Sequence, residues 1–405
     1  MSRSPSKLLD LLLQSPAYKI RQLPDHDFGL AEEEPFPFLA IVGQEEMKLA
    51  LLLALINPRV GGVLLVGPRG TAKTTAVRAL TDLLPNVRRS LCIQGCTETM
   101  VEEEGMAAVC EACAEKFGYG QPLTSEDRVR MLELPLNARL EDVVGGINER
   151  IALEQQRVRL ERGILGNADG QILYIDEVNL LDDAITDAIL DAAAQGHYTV
   201  RRGPLKLRYR ARFMLIGSMN PEEGRLRPQI MDRFGLRAVV KGLKEGEQRY
   251  RAYQNALHYQ RHPTHFAGLY ANEILQLMAE LEAARQRLES VTVSESARLL
   301  GLTLIQSLAI DSNRADMTLF EAARAHAAAD ERPEVTPDDI QAVALLSLRL
   351  RRSDMLNRYF DEQAQQDEAI TGMVADFLNK GGGPGAEDEE NGGQGEPPPS
   401  SIKDI

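Results

Sequence analysis

The run Val63-Leu64-Leu65-Val66, then Gly67-Pro68-Arg69-Gly70-Thr71-Ala72-Lys73-Thr74-Thr75, then the helical stretch Ala76 to Leu83, leaves the chain few folds to adopt. Four consecutive apolar residues before a glycine predict a parallel strand buried on both faces. A Gly-rich turn between strand and helix aims backbone N–H groups at one point, and the helix dipole adds positive potential there. That makes a phosphate cradle for a nucleotide such as ATP. Lys73 would reach the β- and γ-phosphates, and Thr74 would hold Mg²⁺. The run departs from G-x-x-x-x-G-K-[ST] at one place, where Ala72 replaces the second Gly. A methyl there is tolerable if Ala72 keeps φ below zero, as a helix start allows.

Two more apolar runs end in polar residues. Ile172-Leu173-Tyr174-Ile175 leads into Asp176-Glu177, and Phe213 to Ser218 leads into Met219-Asn220-Pro221. Parallel sheets bind ligands at the carboxyl ends of their strands. Asp176 would support Mg²⁺, Glu177 would orient and polarise an attacking water, and Asn220 would bond the γ-phosphate or that water. Read alone, Asp176 and Glu177 suit a helix cap and Asn220 suits a turn before Pro221.

Strand and helix alternate from residue 36 to 240, which predicts an α/β domain behind an N-terminal extension of residues 1–35. From 241 to 375 the signals are helical. Ile274 to Leu281, Ala297 to Ala309 and Leu319 to Ala329 have helical apolar spacing, and Thr336-Pro337-Asp338-Asp339 starts another helix. Residues 376–405 read as a disordered tail. Gly381 to Ile405 holds six acids against one base, with Gly381-Gly382-Gly383-Pro384 and Pro397-Pro398-Pro399.

Of the 405 residues 43% are hydrophobic, enough for a large core, and with aromatics at 5% that core must be aliphatic. Acids outnumber bases 60 to 46, which argues against a coat of nucleic acid or anionic lipid. The longest apolar stretch, Leu49 to Ile56, is far short of the ~20 residues of a membrane span. No apolar signal core follows Met1 to Lys7. These features predict a cytoplasmic chain away from membranes.

Together the motifs resemble the magnesium-chelatase I-subunit family of AAA+ ATPases. The resemblance covers residues 36–350. It rests on Phe38-Leu39-Ala40-Ile41-Val42-Gly43-Gln44, on Gly61-Gly62-Val63-Leu64, and on Ile175-Asp176-Glu177-Val178-Asn179-Leu180-Leu181-Asp182-Asp183. It rests most on Met219 to Gln229 with Asp232-Arg233-Phe234-Gly235. It implies a P-loop parallel sheet flanked by helices, followed by an all-α lid, with ATP and Mg²⁺ as cofactors. Ile41, Val42 and Gly43 match the segment lining the adenine pocket. Arg233 matches the arginine finger, which reaches a neighbouring subunit's γ-phosphate; its plain alternative is a surface ion pair with Asp232. Arg314 matches the lid arginine called sensor 2, with Arg332 a weaker rival.

A finger acting between subunits implies a homo-oligomeric ring, a hexamer by analogy. The resemblance further implies a motor subunit coupling ATP hydrolysis to Mg²⁺ insertion into protoporphyrin IX, a step of chlorophyll and bacteriochlorophyll synthesis. The implied partners are a D-type integrin-like-domain subunit, whose acidic proline-rich linker the tail resembles, and a large porphyrin-binding subunit. No constellation here looks like a porphyrin site, so insertion would belong to the partner. The alternative is a MoxR-like or cobalt-chelatase-like ATPase that remodels or metallates an integrin-like-domain partner; its P-loop often ends as Ala72-Lys73-Thr74 does. A scaffold that binds ATP only to assemble is a third reading, opposed by Glu177, Asn220, Arg233 and Arg314.

Two features stand outside these motifs. His197 to Arg212 alternates in its second half, which with Arg202-Gly203-Pro204 as the turn predicts a β-hairpin. It carries Arg201, Arg202, Lys206, Arg208, Arg210 and Arg212, but aromatics are sparse, so a subunit or partner contact is favoured over nucleic acid. All four cysteines lie in Cys92-x₃-Cys96-x₁₃-Cys110-x₂-Cys113. They are too few and too local for a secreted disulfide scaffold. Two close pairs across a short loop suit four-thiolate Zn²⁺, although the x₃ spacing is looser than a standard knuckle and Glu98, Glu102, Glu103, Glu104 and Glu111 would oppose thiolates; redox-active or inert thiols are the other readings.

Overall fold

A computed structural model describes residues 35–351, apart from 93–94, 147–161, 203–204 and 225. The expected N-terminal extension, the acidic tail, the hairpin turn at Gly203-Pro204 and the lid beyond residue 351 lie outside the described residues.

Along the chain the strands are β1 (Val63–Val66), β2 (Val87–Ser90), β3 (Thr124–Asp127), β4 (Met131–Leu134), β5 (Ile172–Ile175), β6 (His197–Arg202), β7 (Leu205–Arg210), β8 (Met214–Met219), β9 (Leu236–Val239), β10 (Thr292–Val293) and β11 (Glu334–Val335). One five-stranded sheet has the order β4-β5-β8-β1-β9, and every pairing in it is parallel. All four residues of β1 and of β5 are buried, as their unbroken apolar runs predict. Alternate side chains go to opposite faces. Val63, Leu65, Ile172 and Tyr174 join one core cluster; Leu64, Val66, Leu173 and Ile175 join another.

Helices cover both faces. The first cluster includes α1 (Glu45–Ile56) and α2 (Lys73–Ala79). Between β2 and β3 the chain inserts α3 (Glu98–Glu104) and α4 (Glu111–Gly118). The second cluster takes Ile185, Ile189 and Leu190 of α5 (Asp183–Gln195), which Asp182 caps by accepting from Ala184 N at 2.8 Å. A short α6 (Pro228–Arg233) leads into β9. β6 and β7 pair antiparallel, the hairpin expected from alternation.

From Gly246 on, the chain is helical: α7 (Gly246–Arg261), α8 (Pro263–Gly268), α9 (Ala271–Leu288), α10 (Glu295–Ser307), α11 (Asn313–Ala329) and α12 (Pro337–Leu348). These cover the four expected helices. Thr336 caps α12 in a capping box with Asp339, and Pro337 sits in its first turn. No helix among the described residues is long and apolar enough to cross a membrane.

Asp232 ties the helical region to the sheet domain. Its carboxylate accepts from Ser312 Oγ at 3.0 Å and from Arg351 Nη1 at 2.7 Å, and lies 4.0 Å from Arg237 Nη2. The side chains of Arg237 and Arg351 are both fully buried. Burial, reinforced by Arg351, pushes the Arg237 guanidinium down to about 9. Removing the one acid would leave two buried cations without their counter-charge. Asp232→Ala is therefore expected to destabilise the chain by about 3 kcal/mol. Denaturant unfolding measures this, and a loss well under about 1 kcal/mol would show that solvent compensates the pair.

Candidate functional site

The carboxyl ends of β5, β8 and β1, adjacent in the sheet, carry Asp176-Glu177, Asn220 and the Gly67–Thr75 loop. At Gly67 the backbone passes so close to β9 that a Cβ would lie 2.1 Å from the Val240 oxygen. Lys73, only 9% exposed, opens α2 and donates to the Gly67 and Pro68 carbonyls at 2.7 and 2.8 Å. Burial lowers its pKa, while Asp176 and Glu177 work against that shift. Thr71 closes the loop by donating to Pro68 O at 2.9 Å.

Ala72 departs from the expectation. It caps α2 with φ 65 and ψ 23, in the left-handed region. The helix start does not bring φ below zero, because the loop turns where the second glycine of the pattern would stand. The methyl is accommodated at a backbone cost of about 1–2 kcal/mol. Gln44 (φ 58) and Glu177 (φ 52) share this conformation. Ala309, Glu331 and Leu350 in the helical region adopt it too, so the conformation is not confined to the site.

A hydrogen-bonded network joins the motifs. Thr74 Oγ1 lies 3.0 Å from Tyr174 OH, and that hydroxyl donates to Asp176 Oδ1 at 2.9 Å. Ser218 Oγ donates to the same oxygen and accepts from Glu177 N at 3.1 Å. Burial pushes the Tyr174 phenol up to about 12, so it stays a donor. Thr74 and Asp176 thus present a hydroxyl and a carboxylate around one phenol, a hard oxygen set that fits Mg²⁺. Glu177 Oε1 accepts from Arg69 Nη2 at 2.7 Å, and Arg69 also pairs with Glu223 at 2.7 Å. Tyr174, Ser218 and Glu223 are the members that the motifs did not announce. Tyr174 read as one more strand residue, and its polar signal was a hydroxyl two residues before Asp176.

Asn220 is 4% exposed and accepts from Glu222 N at 3.2 Å. It therefore makes the turn that its position before Pro221 suggests, at the strand end between the other two motifs. Ile41 is buried and Val42 half-buried; Gly43 carries φ 64, and a Cβ on it would lie 2.8 Å from Leu243 Cδ2. Asn255 of α7 donates to Ala40 O at 2.9 Å, so this segment is held from the helical side. Thr75 is half-buried in the first turn of α2, and Pro68 and Gly70 are exposed.

The distal arginines are not drawn into this network. Arg233, at the end of α6, pairs with Asp191 of α5. The alternative pair with Asp232 does not form, because Asp232 is engaged by Arg351 and Ser312. Arg314 is exposed in the first turn of α11 and makes no hydrogen bond or ion pair with the described residues; its charge reaches Arg351. Arg332, its rival, is committed elsewhere. It binds fully buried Asp339, which also takes His326 Nδ1 at 2.6 Å and Thr336 N at 2.8 Å. Burial opposes ionisation of Asp339, yet these donors hold it well below the usual carboxylate range.

The four cysteines come together on the β2–β3 insertion, with their sulfur atoms all within 4.8 Å of one another. Burial pushes Cys96 up to about 11.

Two family models and several known proteins match this chain. The family model of the AAA domain (dynein-related subfamily) matches residues 121–234, and that of the AAA lid domain matches residues 303–372. A magnesium-chelatase subunit ChlI homolog of Methanocaldococcus jannaschii is 39% identical over 342 residues, 84% of this chain and 91% of that protein. Magnesium-chelatase subunit ChlI of Synechocystis is 41% identical over 323 residues, 79% of this chain and 89% of that one. Among solved structures, a cryo-EM reconstruction of the complex between subunits BchI and BchD of magnesium chelatase aligns at 35% identity. It covers 80% of this chain and 99% of that one, with a TM-score of 0.45. Sequence identity at this level over most of both chains means that this protein belongs to the magnesium-chelatase I-subunit family of AAA+ ATPases.

Proposed function

We propose that the chain is the motor subunit of a magnesium chelatase and couples ATP hydrolysis to Mg²⁺ insertion into protoporphyrin IX held by a partner. The observation that supports this most is the Thr74–Tyr174–Asp176–Ser218–Glu177 network beside Lys73 at one sheet edge, in a chain of this family. Lys73 and the loop N–H groups bind the β- and γ-phosphates. Ile41, Val42 and Gly43 line the adenine pocket. Thr74 and Asp176 would hold Mg²⁺, which would supply positive charge against the charge that develops on the phosphates. Glu177 orients the attacking water and takes its proton, and Asn220 bonds the γ-phosphate or that water. Exposed Arg69 pairs with Glu177 and Glu223 at rest, a link that solvent makes easy to break. Arg233 acts in trans on a neighbour's nucleotide within a hexameric ring, and Arg314 contacts the nucleotide of its own chain. The partners are a D-type subunit and a large porphyrin-binding subunit, in the cytoplasm. The four cysteines take no part in turnover.

Glu177→Gln is expected to keep ATP affinity and ring assembly while slowing hydrolysis at least ~100-fold. Steady-state ATPase and nucleotide titration measure both, and near-normal turnover would remove Glu177 as the base. Mixing Arg233→Ala chains with Lys73→Ala chains is expected to restore part of the activity, because some seams then pair an intact loop with an intact finger. Absence of rescue at every ratio would place Arg233 within its own chain's chemistry or in structure alone.

Reconstitution tests the whole reading. With D-type and porphyrin-binding subunits, ATP and protoporphyrin IX, magnesium-porphyrin fluorescence should rise only when Lys73 is intact. Full ATPase without insertion, together with cobalt insertion into another tetrapyrrole, would favour the cobalt-chelatase-like reading.

A further inference from the structure

We propose that Cys92, Cys96, Cys110 and Cys113 bind one Zn²⁺ as a four-thiolate tetrahedral centre, and that this ion holds residues 91–123 folded on the β2–β3 ladder. The inference is independent of the ATPase reading. Zn–S bonds of about 2.3 Å give a tetrahedron with edges of about 3.8 Å. All four sulfurs lie within 4.8 Å of one another, and Cys92 Sγ and Cys110 Sγ are 3.6 Å apart. None of the four is joined in a disulfide.

The surroundings are built for sulfur ligands. Cys110 N donates to Cys96 Sγ at 3.3 Å, an N–H···S bond of the kind that stabilises a thiolate. Cys110 stands at the N-cap position of α4, without a side-chain capping bond, and Cys113 lies in the first turn, so the cluster sits at the positive helix end. Gly95, with φ 70, closes the first loop by donating to Cys92 O at 2.8 Å. A Cβ on Gly95 would lie 1.7 Å from Arg162 Nη2, so a guanidinium is packed against this loop. That cation offsets the net −2 charge of Zn²⁺ with four thiolates. The neighbouring acids are bonded elsewhere or solvated. Glu98 accepts from Leu123 N and Thr124 N at 2.6 and 2.9 Å, and Glu102, Glu103, Glu104 and Glu111 are exposed to water.

The insertion also needs such a tie. Leu91 N donates to Leu123 O at 2.9 Å, so the segment leaves and re-enters at one point of the ladder. Its buried apolar set is Cys96, Val101, Cys113 and Leu123, half of it the proposed ligands themselves. Segments below about 40 residues rarely hold themselves together with so small a core unless a metal or disulfides help.

The test uses the full chain, purified under reducing conditions without added metal. Elemental analysis should give one zinc per chain, and Lys73→Ala should keep it. Replacing the ion by Co²⁺ should give the strong visible absorption of a tetrahedral thiolate complex. Cys113→Ser should lose the zinc. Chelation of the wild-type chain should raise thiol reactivity and hydrogen exchange within 91–123 by at least ~10-fold, with the segment around Lys73 unchanged. Less than about half a zinc per chain after reductive loading with Zn²⁺ would overturn the proposal. So would iron in its place, or a native chain holding two disulfides and no metal.

Discussion

The register between β1, β8 and β5 is the constraint on which the site depends. Val66 stands beside Met219, and Ile175 beside Gly217. One step further along each strand brings Gly67 to Asn220, and Asp176 to Ser218. Gly67 N donates to Met219 O at 3.0 Å, which carries the ladder into the loop itself. A slip of one residue would turn every side chain to the other face. The two core clusters take alternate residues of these strands, so burial on both faces holds the register against such a slip. The polar residues at the strand ends are thereby brought together without any local sequence preference for one another.

This explains what was legible in the chain and what was not. Buried parallel strands have to be uniformly apolar, so β1, β5 and β8 were readable, and their polar ends marked the sheet edge. The start of α12 was readable because Thr336, Pro337 and Asp339 act within one turn. Tyr174 was not readable as a site residue, because its value lies in a hydroxyl that meets Thr74, a hundred positions away in the chain. Ser218 has the same character, since it bridges Asp176 and Glu177 from another strand. Ala72 shows the limit of a local rule. Helix starts favour negative φ, but the loop had to turn there, and the alanine took the left-handed conformation. Arg332 stood as a weaker rival to Arg314 in the family match, and tertiary packing commits it to Asp339.

Neighbouring residues at the end of α6 do opposite work, and the energies suit the roles proposed for them. Asp232 faces two fully buried guanidinium groups, where losing the partner is expensive. It therefore anchors the helical region to the sheet domain. Arg233 points to Asp191, whose side chain is 57% exposed, while its own is 29% exposed. Such a solvent-accessible pair contributes about 1 kcal/mol at most. An arginine that must leave its own chain for a neighbour's phosphate needs a resting partner that is cheap to abandon, and Asp191 is one. Under the role proposed for Arg233, the Asp232 anchor beside it sets where that arginine starts from, since both stand at the end of α6.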